Sequence, residues 1–285
     1  MKSDNSSPRR IDAIERAHLK EPGDASHTMF RYEPDPDLAG LVERFWIPVW
    51  SVPPGQEAPQ RVLQYPHCLL VITNTYARFY GVVSGLSTTT LTGAGWAVGV
   101  MFAPSAGHLL TGRSISEYTD AHVPIADVLG AAGEQLVERV RVAMAPDPTA
   151  PTAHGEAMAA YTDVLRGYLP VDEDGRLINA VVAFVEQNPD VLRVAQVCAE
   201  FDLTERSLQR LVRRRVGLSP KWLIQRRRLQ EAAQRLREQP KSLADVAAVL
   251  GYADQAHFSR DFTRVTAVTP GEFAKAWAGE AGPAS

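Results

Sequence analysis

A chain of 285 residues, 45% apolar and 22% charged, is long enough for about two domains that each bury a core, and a formal charge of −3 excludes a strongly acidic or basic protein. The longest nearly apolar run, 94–104, is far short of the roughly 20 residues that cross a bilayer, and no apolar signal core follows Arg9 and Arg10, so the cytoplasm is the expected compartment. Cys68 and Cys198 lie in separate apolar runs without C-x-x-C or Cys/His spacing, which argues against a disulfide framework or a structural zinc site.

Charge is unevenly spread. Residues 176–277 hold 17 Lys and Arg against 11 Asp and Glu, a sum of +6, whereas residues 1–175 hold 13 against 21, a sum of −8. A basic module joined to an acidic one fits a nucleic-acid reader attached to a domain with another task.

In chain order, residues 1–27 are polar, with only Ile11, Ile14 and Leu19 hinting at a helix, and a mostly disordered tail is expected. Leu38, Leu41, Val42 and Phe45 then recur at helical spacing, and Phe45-Trp-Ile-Pro-Val-Trp reads as a strand whose Pro48 suits a sheet edge. After the Pro-rich turn at 52–55, short β-prone runs begin at Arg61, Cys68, Ala77, Ser87 and Trp96, separated by Pro, Asn or Gly. Such spacing argues for a sandwich or barrel over 28–169. The histidines of its strand-rich part, His67, His108 and His122, are too dispersed to form a local ligand set, so neither a metal nor a cofactor is expected.

Beyond Val123-Pro124 two apolar stripes of helical period follow, one from Ile125 to Met144 and one from Met158 to Leu169, parted by a stiff Pro-rich loop at 145–151. These helices can cover the open face of the β-domain, pair across a homodimer, or do both. The acidic stretch 170–175 reads as the interdomain linker, and 278–285 as a tail.

Residues 176–277 contain an internal repeat. Leu208, Arg210, Val212, Arg214, Gly217, Leu218, Ser219 and Pro220 align with Phe258, Arg260, Phe262, Arg264, Ala267, Val268, Thr269 and Pro270, and each set follows a short Ala-containing helical run and a tight turn. Each unit is helix, turn, helix, and a long helix from Lys221 to Glu238 joins them. The stretch from about Leu177 to Trp277 resembles the C-terminal DNA-binding domain of AraC/XylS-type bacterial transcription regulators. The resemblance rests on Thr204 with Leu208-Gln-Arg, Gly217-Leu-Ser-Pro, Arg228-Leu229 with Ala232, Gly251-Tyr252, His257-Phe-Ser-Arg-Asp-Phe262, and Thr269-Pro270 with Phe273. Ala267 departs from it, standing where such proteins carry a Gly suited to a left-handed helix end.

The resemblance implies an α+β chain: an N-terminal β-rich, cupin-like barrel or sandwich with covering helices, then an all-α double helix-turn-helix domain. It implies double-stranded operator DNA as partner, RNA polymerase as a second, a possible small-molecule effector, and a homodimer. Thr204 is the expected cap of the first recognition helix, which presents Arg206, Gln209, Arg210 and Arg213 on one face; Arg and Gln can make two bonds each to guanine and adenine edges in the major groove. Arg213, Arg214 and Arg215 are assigned to phosphates, Arg226 and Arg227 are phosphate candidates on the connector, and Arg228 matches a recurring Arg expected in an internal ion pair. The second helix offers Gln255, His257, Arg260 and Arg264. The rival reading, a cupin-type enzyme fused to a DNA-binding module, lacks a visible G-x-S-x-G, P-loop, G-x-G-x-x-G or metal cluster, and no enzyme is expected.

Overall fold

The computed structural model describes residues 18, 19, 24–238 and 242–278. Most of the expected tail at 1–27, and all but one residue of 278–285, lie outside the described residues. Eight strands come first: β1 (His27–Tyr32), β2 (Val42–Ser51), β3 (Ala58–Val62), β4 (Leu69–Thr73), β5 (Ala77–Tyr80), β6 (Ser87–Leu91), β7 (Ala94–Phe102) and, after helix α1 (Ala106–Thr111), β8 (His122–Pro124). Six of them form one antiparallel sheet in the order β1-β2-β7-β4-β5-β8, and β3 pairs with β6 in a separate ribbon.

The sheet's two faces differ in kind because alternate side chains point to opposite sides. One face carries Phe45, Ile47, Leu70, Ile72, Phe79, Val98, Val100 and Phe102, all buried in the main core. Helices α2 (Ile125–Met144) and α3 (Pro151–Leu165) pack together over it, with α2 against β4 and β5. His154, fully buried on α3, bonds the Tyr32 hydroxyl at 2.6 Å and the Pro148 carbonyl at 2.8 Å, which ties the helix pair to β1. The other face carries Trp46, Trp50, Tyr80 and Met101 around Leu69, Val71 and Ala97.

Two expectations are corrected. Leu38, Leu41, Val42 and Phe45 lie on a 3-10 turn (Pro36–Leu38), the loop after it and β2; all four are buried, so their spacing reflected a shared core and not a helix. Pro48 lies in an interior strand, since β2 has β1 on one side and β7 on the other. The β2–β7 register passes from Trp46↔Gly99 to Val49↔Trp96 with no pairing at Ile47 and Pro48. Pro has no N–H to donate there, and the Val98 carbonyl opposite this lapse accepts from the buried Tyr161 hydroxyl of α3 at 2.8 Å.

Seven helices follow: α4 (Glu173–Gln187), α5 (Val194–Glu200), α6 (Glu205–Arg215), α7 (Pro220–Arg237), α8 (Leu243–Val249), α9 (Gln255–Thr266) and α10 (Pro270–Ala278). Asp172 caps α4 by accepting from the Gly175 N–H at 2.9 Å, so 173–175 form its first turn. The hydrophobic core does not stop between the β-domain and these helices. Leu208, Leu211, Val212, Val216, Leu223 and Ile224 belong to the same cluster as the sheet and α2–α3. The second helix-turn-helix has its own cluster, around Phe258, Phe262, Leu229 and Leu236, into which Leu63 and Leu86 beside the β3–β6 ribbon are packed.

Candidate nucleic-acid interface

Both recognition helices are set by a polar cap and an apolar stripe. The Thr204 hydroxyl accepts from the Ser207 N–H at 3.2 Å, and the Asp254 carboxylate accepts from the His257 N–H at 2.7 Å. Leu208, Leu211 and Val212 fix the inner side of α6, and Phe258 and Phe262 that of α9. Aromatic contacts run on from Phe258 to Phe262 at 5.8 Å and from Phe262 to Phe273 at 5.6 Å, holding α9 against α10. Turn geometry completes the second unit: Gly251 has φ +71°, and a Cβ there would lie 2.7 Å from Leu192.

The outward faces are cationic. Arg206, Arg210 and Arg213 on α6 and Arg260 on α9 are exposed, with no ion-pair partner among the described residues. Gln209 is exposed and donates to Glu205 at 3.1 Å, a contact one turn long that a base edge can replace. On α9, Gln255 and His257 are exposed at the start, and the His257 ring stands edge-on to Tyr252 at 5.3 Å. Arg264 is paired with Asp261 at 2.9 Å. Thr204 is exposed, but its hydroxyl is already engaged as the cap.

Other candidate cations face inward. Arg215 is 1% exposed and donates to Asp172, so it is a structural residue and not a phosphate contact. Arg214 is exposed, yet it bonds His108 at 3.0 Å and approaches Asp174 at 3.9 Å, which puts it at the border with the N-terminal domain. Arg226 and Arg227 are buried, and their assignment to phosphates is also corrected. Arg226 donates to the Ser84 carbonyl at 2.6 Å and the Gly85 carbonyl at 2.9 Å, and Arg227 donates to the Val191 carbonyl at 3.0 Å. Burial pushes the Arg226 guanidinium down to about 10. Arg228 makes no ion pair among the described residues: it donates to the Leu250 carbonyl at 2.7 Å and lies 3.8 Å over the Tyr252 ring. The sequence missed this inward turn because basic side chains on a helix look alike until the partner surface is known.

That partner surface is specific. The Trp222 indole donates to the Ser84 carbonyl at 2.9 Å, beside Arg226, and the Asp120 carboxylate accepts from both the N–H and the hydroxyl of Ser84. Gln230 donates to the Leu63 carbonyl at 2.8 Å. At Gly217 the two domains nearly touch: φ is +90°, a Cβ would lie 2.4 Å from the Thr119 hydroxyl, and Thr119 donates to the Gly217 carbonyl at 3.1 Å. Only glycine fits both the angle and the gap.

The three histidines considered as metal ligands lie apart in role. His67 is buried, His108 holds Arg214, and His122 stacks on Tyr80 at 5.2 Å. No group of three His, Cys, Asp or Glu suited to a metal occurs among the described residues, and no described helix is long and apolar enough to cross a membrane. Burial pushes the Cys68 thiol up to about 12.

Two helix-turn-helix units on one connecting helix define an AraC-type DNA-binding domain. Residues 197–276 match the helix-turn-helix domain family, and residues 30–124 match a domain of unknown function (DUF6597). Among curated proteins the chain is similar to the HTH-type transcriptional regulator MtrA of Neisseria gonorrhoeae, 30% identical over 111 residues that make up 39% of this chain and 37% of that protein. It is also similar to the HTH-type transcriptional activator RhaS of Klebsiella pneumoniae, 34% identical over 94 residues, 33% of this chain and 34% of that one. The chain thus spans little more than a third of the length of these relatives. A solved transcriptional regulator from Chromobacterium violaceum aligns at 26% identity over 36% of this chain and 91% of its own, with a TM-score of 0.32.

Proposed function

We propose that this chain is a sequence-specific transcriptional regulator that places α6 and α9 in the major groove and is modulated through its N-terminal domain. The observation that carries the reading is the pair of capped helices on one connector, each with an apolar stripe packed inward and unpaired long donors outward. Arg206, Gln209 and Arg210 are the base-reading set of α6, with Arg213 at a phosphate; Arg260 is that of α9, helped by Gln255 and His257. Arg214 reaches a phosphate once it leaves His108 and Asp174, and Arg264 once it leaves Asp261.

The cofactor-free, non-enzymatic character, the RNA polymerase contact and the homodimer belong to the same proposal. The dimer reading is supported by Val142 of α2, an apolar side chain that is 63% exposed. Sedimentation tests it, and a monomer at tens of micromolar, on the order of where functional dimers form, counts against it. The regulator reading is tested by selecting fragments from random double-stranded DNA with the full chain. The expected product is a site with two parts centred about one helical turn apart; no enrichment at low salt would overturn it.

A further inference from the structure

Helix α6 ends on three consecutive arginines in three different settings. Arg213 is exposed with no ion-pair partner among the described residues, and Arg215 is buried against Asp172. Arg214 is about half exposed and bonds the ring of His108, the last polar residue of α1 before Thr111, at 3.0 Å. The Asp174 carboxylate lies 3.9 Å from the same guanidinium, beyond hydrogen-bond reach.

The partners of the His108 ring fix where its proton sits. Nδ1 lies 2.7 Å from the Arg113 carbonyl, which can only accept, so Nδ1 carries the hydrogen. Arg214 can only donate, so Nε2 offers its lone pair. One species alone makes both bonds at once, the neutral ring with hydrogen on Nδ1. The turn that orients the ring is itself held, because the Arg113 N–H donates to the Thr111 hydroxyl at 3.1 Å and that hydroxyl donates to the Gly107 carbonyl at 2.8 Å. A second proton on the ring would occupy the Nε2 lone pair, break the bond to Arg214 and set two positive charges side by side.

The charged groups around the ring come from each neighbouring element. They are Asp172 and Asp174 at the start of α4, Arg214 and Arg215 on α6, and Arg113, paired with Glu117 at 3.3 Å, in the turn after α1. The carboxylates favour a charged ring and the arginines oppose it. Histidine is the side chain whose charge changes most readily between about pH 5 and 8.

We propose that His108 is a positioning residue for DNA binding: its neutral ring holds Arg214 against the N-terminal domain, and protonation of the ring releases Arg214 to a phosphate. The inference rests on the reading that α6 lies in the major groove. Arg214 follows Arg210 by one helical turn, so the released side chain extends the row of cations along the groove edge. The N-terminal domain thereby grades DNA affinity by pH through one side chain.

The test uses the full chain and a selected operator fragment, with affinity measured by fluorescence anisotropy at about pH 8 and about pH 6 at constant ionic strength. Wild type should bind about threefold to fivefold more tightly at the lower pH, the worth of one exposed charge contact, and its salt dependence should steepen by about one counterion. His257 on α9 is common to every variant, so its own response to pH cancels in the comparison. In His108→Gln the amide oxygen still accepts from Arg214 but takes up no proton, and the gain at low pH should be lost. In His108→Ala nothing holds Arg214, and affinity at the higher pH should already exceed that of wild type. Melting temperatures show that both variants are folded. An equal pH ratio in wild type and His108→Gln, or no gain in a folded His108→Ala, would overturn the proposal. Nitrogen-15 NMR of the His108 ring gives a readout that needs no DNA: hydrogen on Nδ1 alone is expected at the higher pH, and hydrogen on Nε2 alone would overturn it as well. A chain that binds no DNA at either pH removes the regulator reading and this inference with it, whereas DNA binding with an unchanged pH ratio removes this inference alone.

Discussion

Acid should weaken this fold through one histidine. His67 is buried to 5% exposure between the β-domain and α4, and burial pushes its imidazole down to about 4, with Arg44 adding to the effect. Glu186 lies 3.9 Å from its Nε2 and would favour the charged ring, but that is beyond hydrogen-bond reach, so burial prevails. In the unfolded chain the ring titrates at its ordinary 6.5. The unfolded state therefore takes up a proton before the native state does, and stability falls as pH drops from 6.5 towards about 4. At 1.36 kcal/mol per unit, the loss by pH 4.5 is about 2.5 kcal/mol, a large part of a total of roughly 5–15 kcal/mol. Asp24, held down to about 2, loses its contribution only below the ordinary carboxylate range, in a separate window. Urea unfolding followed by circular dichroism at pH 7.5, 5.5 and 4.5 should show this slope, and His67→Gln should flatten it to less than about 1 kcal/mol. Equal slopes in wild type and variant would refute the assignment.

Ala267 holds φ +62° at the end of α9, so Ala267→Gly should stabilise by about 1 kcal/mol, seen as a raised urea midpoint; no gain would mean the strain is relieved elsewhere. Asp172→Ala strands the buried Arg215 and should cost on the order of 2–4 kcal/mol by the same assay. Arg210→Ala should relax preference at one base pair by about 1–3 kcal/mol in a scan of the selected operator, whereas Arg260→Ala should weaken a half-site in which fewer positions matter. DNA affinity of the full chain should fall steeply between 50 and 200 mM salt, as about one counterion is released per phosphate contact; a flat salt response in a binding titration would contradict it.

The helical third was legible because its signals are local. Thr204 and Asp254 are caps, Gly251 is a corner, and the spacing of Leu208 to Val212 repeats as Phe258 to Phe262, so helices and turns could be placed from sequence. The β-domain was legible as strands but not as a sheet. Strand β1, with Phe30 and Tyr32 only partly buried, and the three-residue β8 carry too few apolar residues to stand out, and the order β1-β2-β7-β4-β5-β8 depends on contacts between residues far apart in the chain. In the candidate interface, residue types were readable while direction was not. Arg210 and Arg215 are one chemical species on one helix, and what separates them is Asp172, over 40 residues upstream.

The continuous core has a practical consequence for anyone recombining such regulators. A chimera cut at 175, where the β-domain and the helical third part in sequence, would tear Leu208, Val212 and Val216 from their neighbours and leave Arg215 without Asp172. It would also match a foreign loop to the Ser84 carbonyl that receives Trp222 and Arg226. The transplantable piece is therefore not a contiguous segment. To move the reading head intact, the 82–86 loop, the 115–119 turn and Asp172 have to travel with it, so new specificity is more simply installed by recoding the exposed positions of α6 and α9 in place.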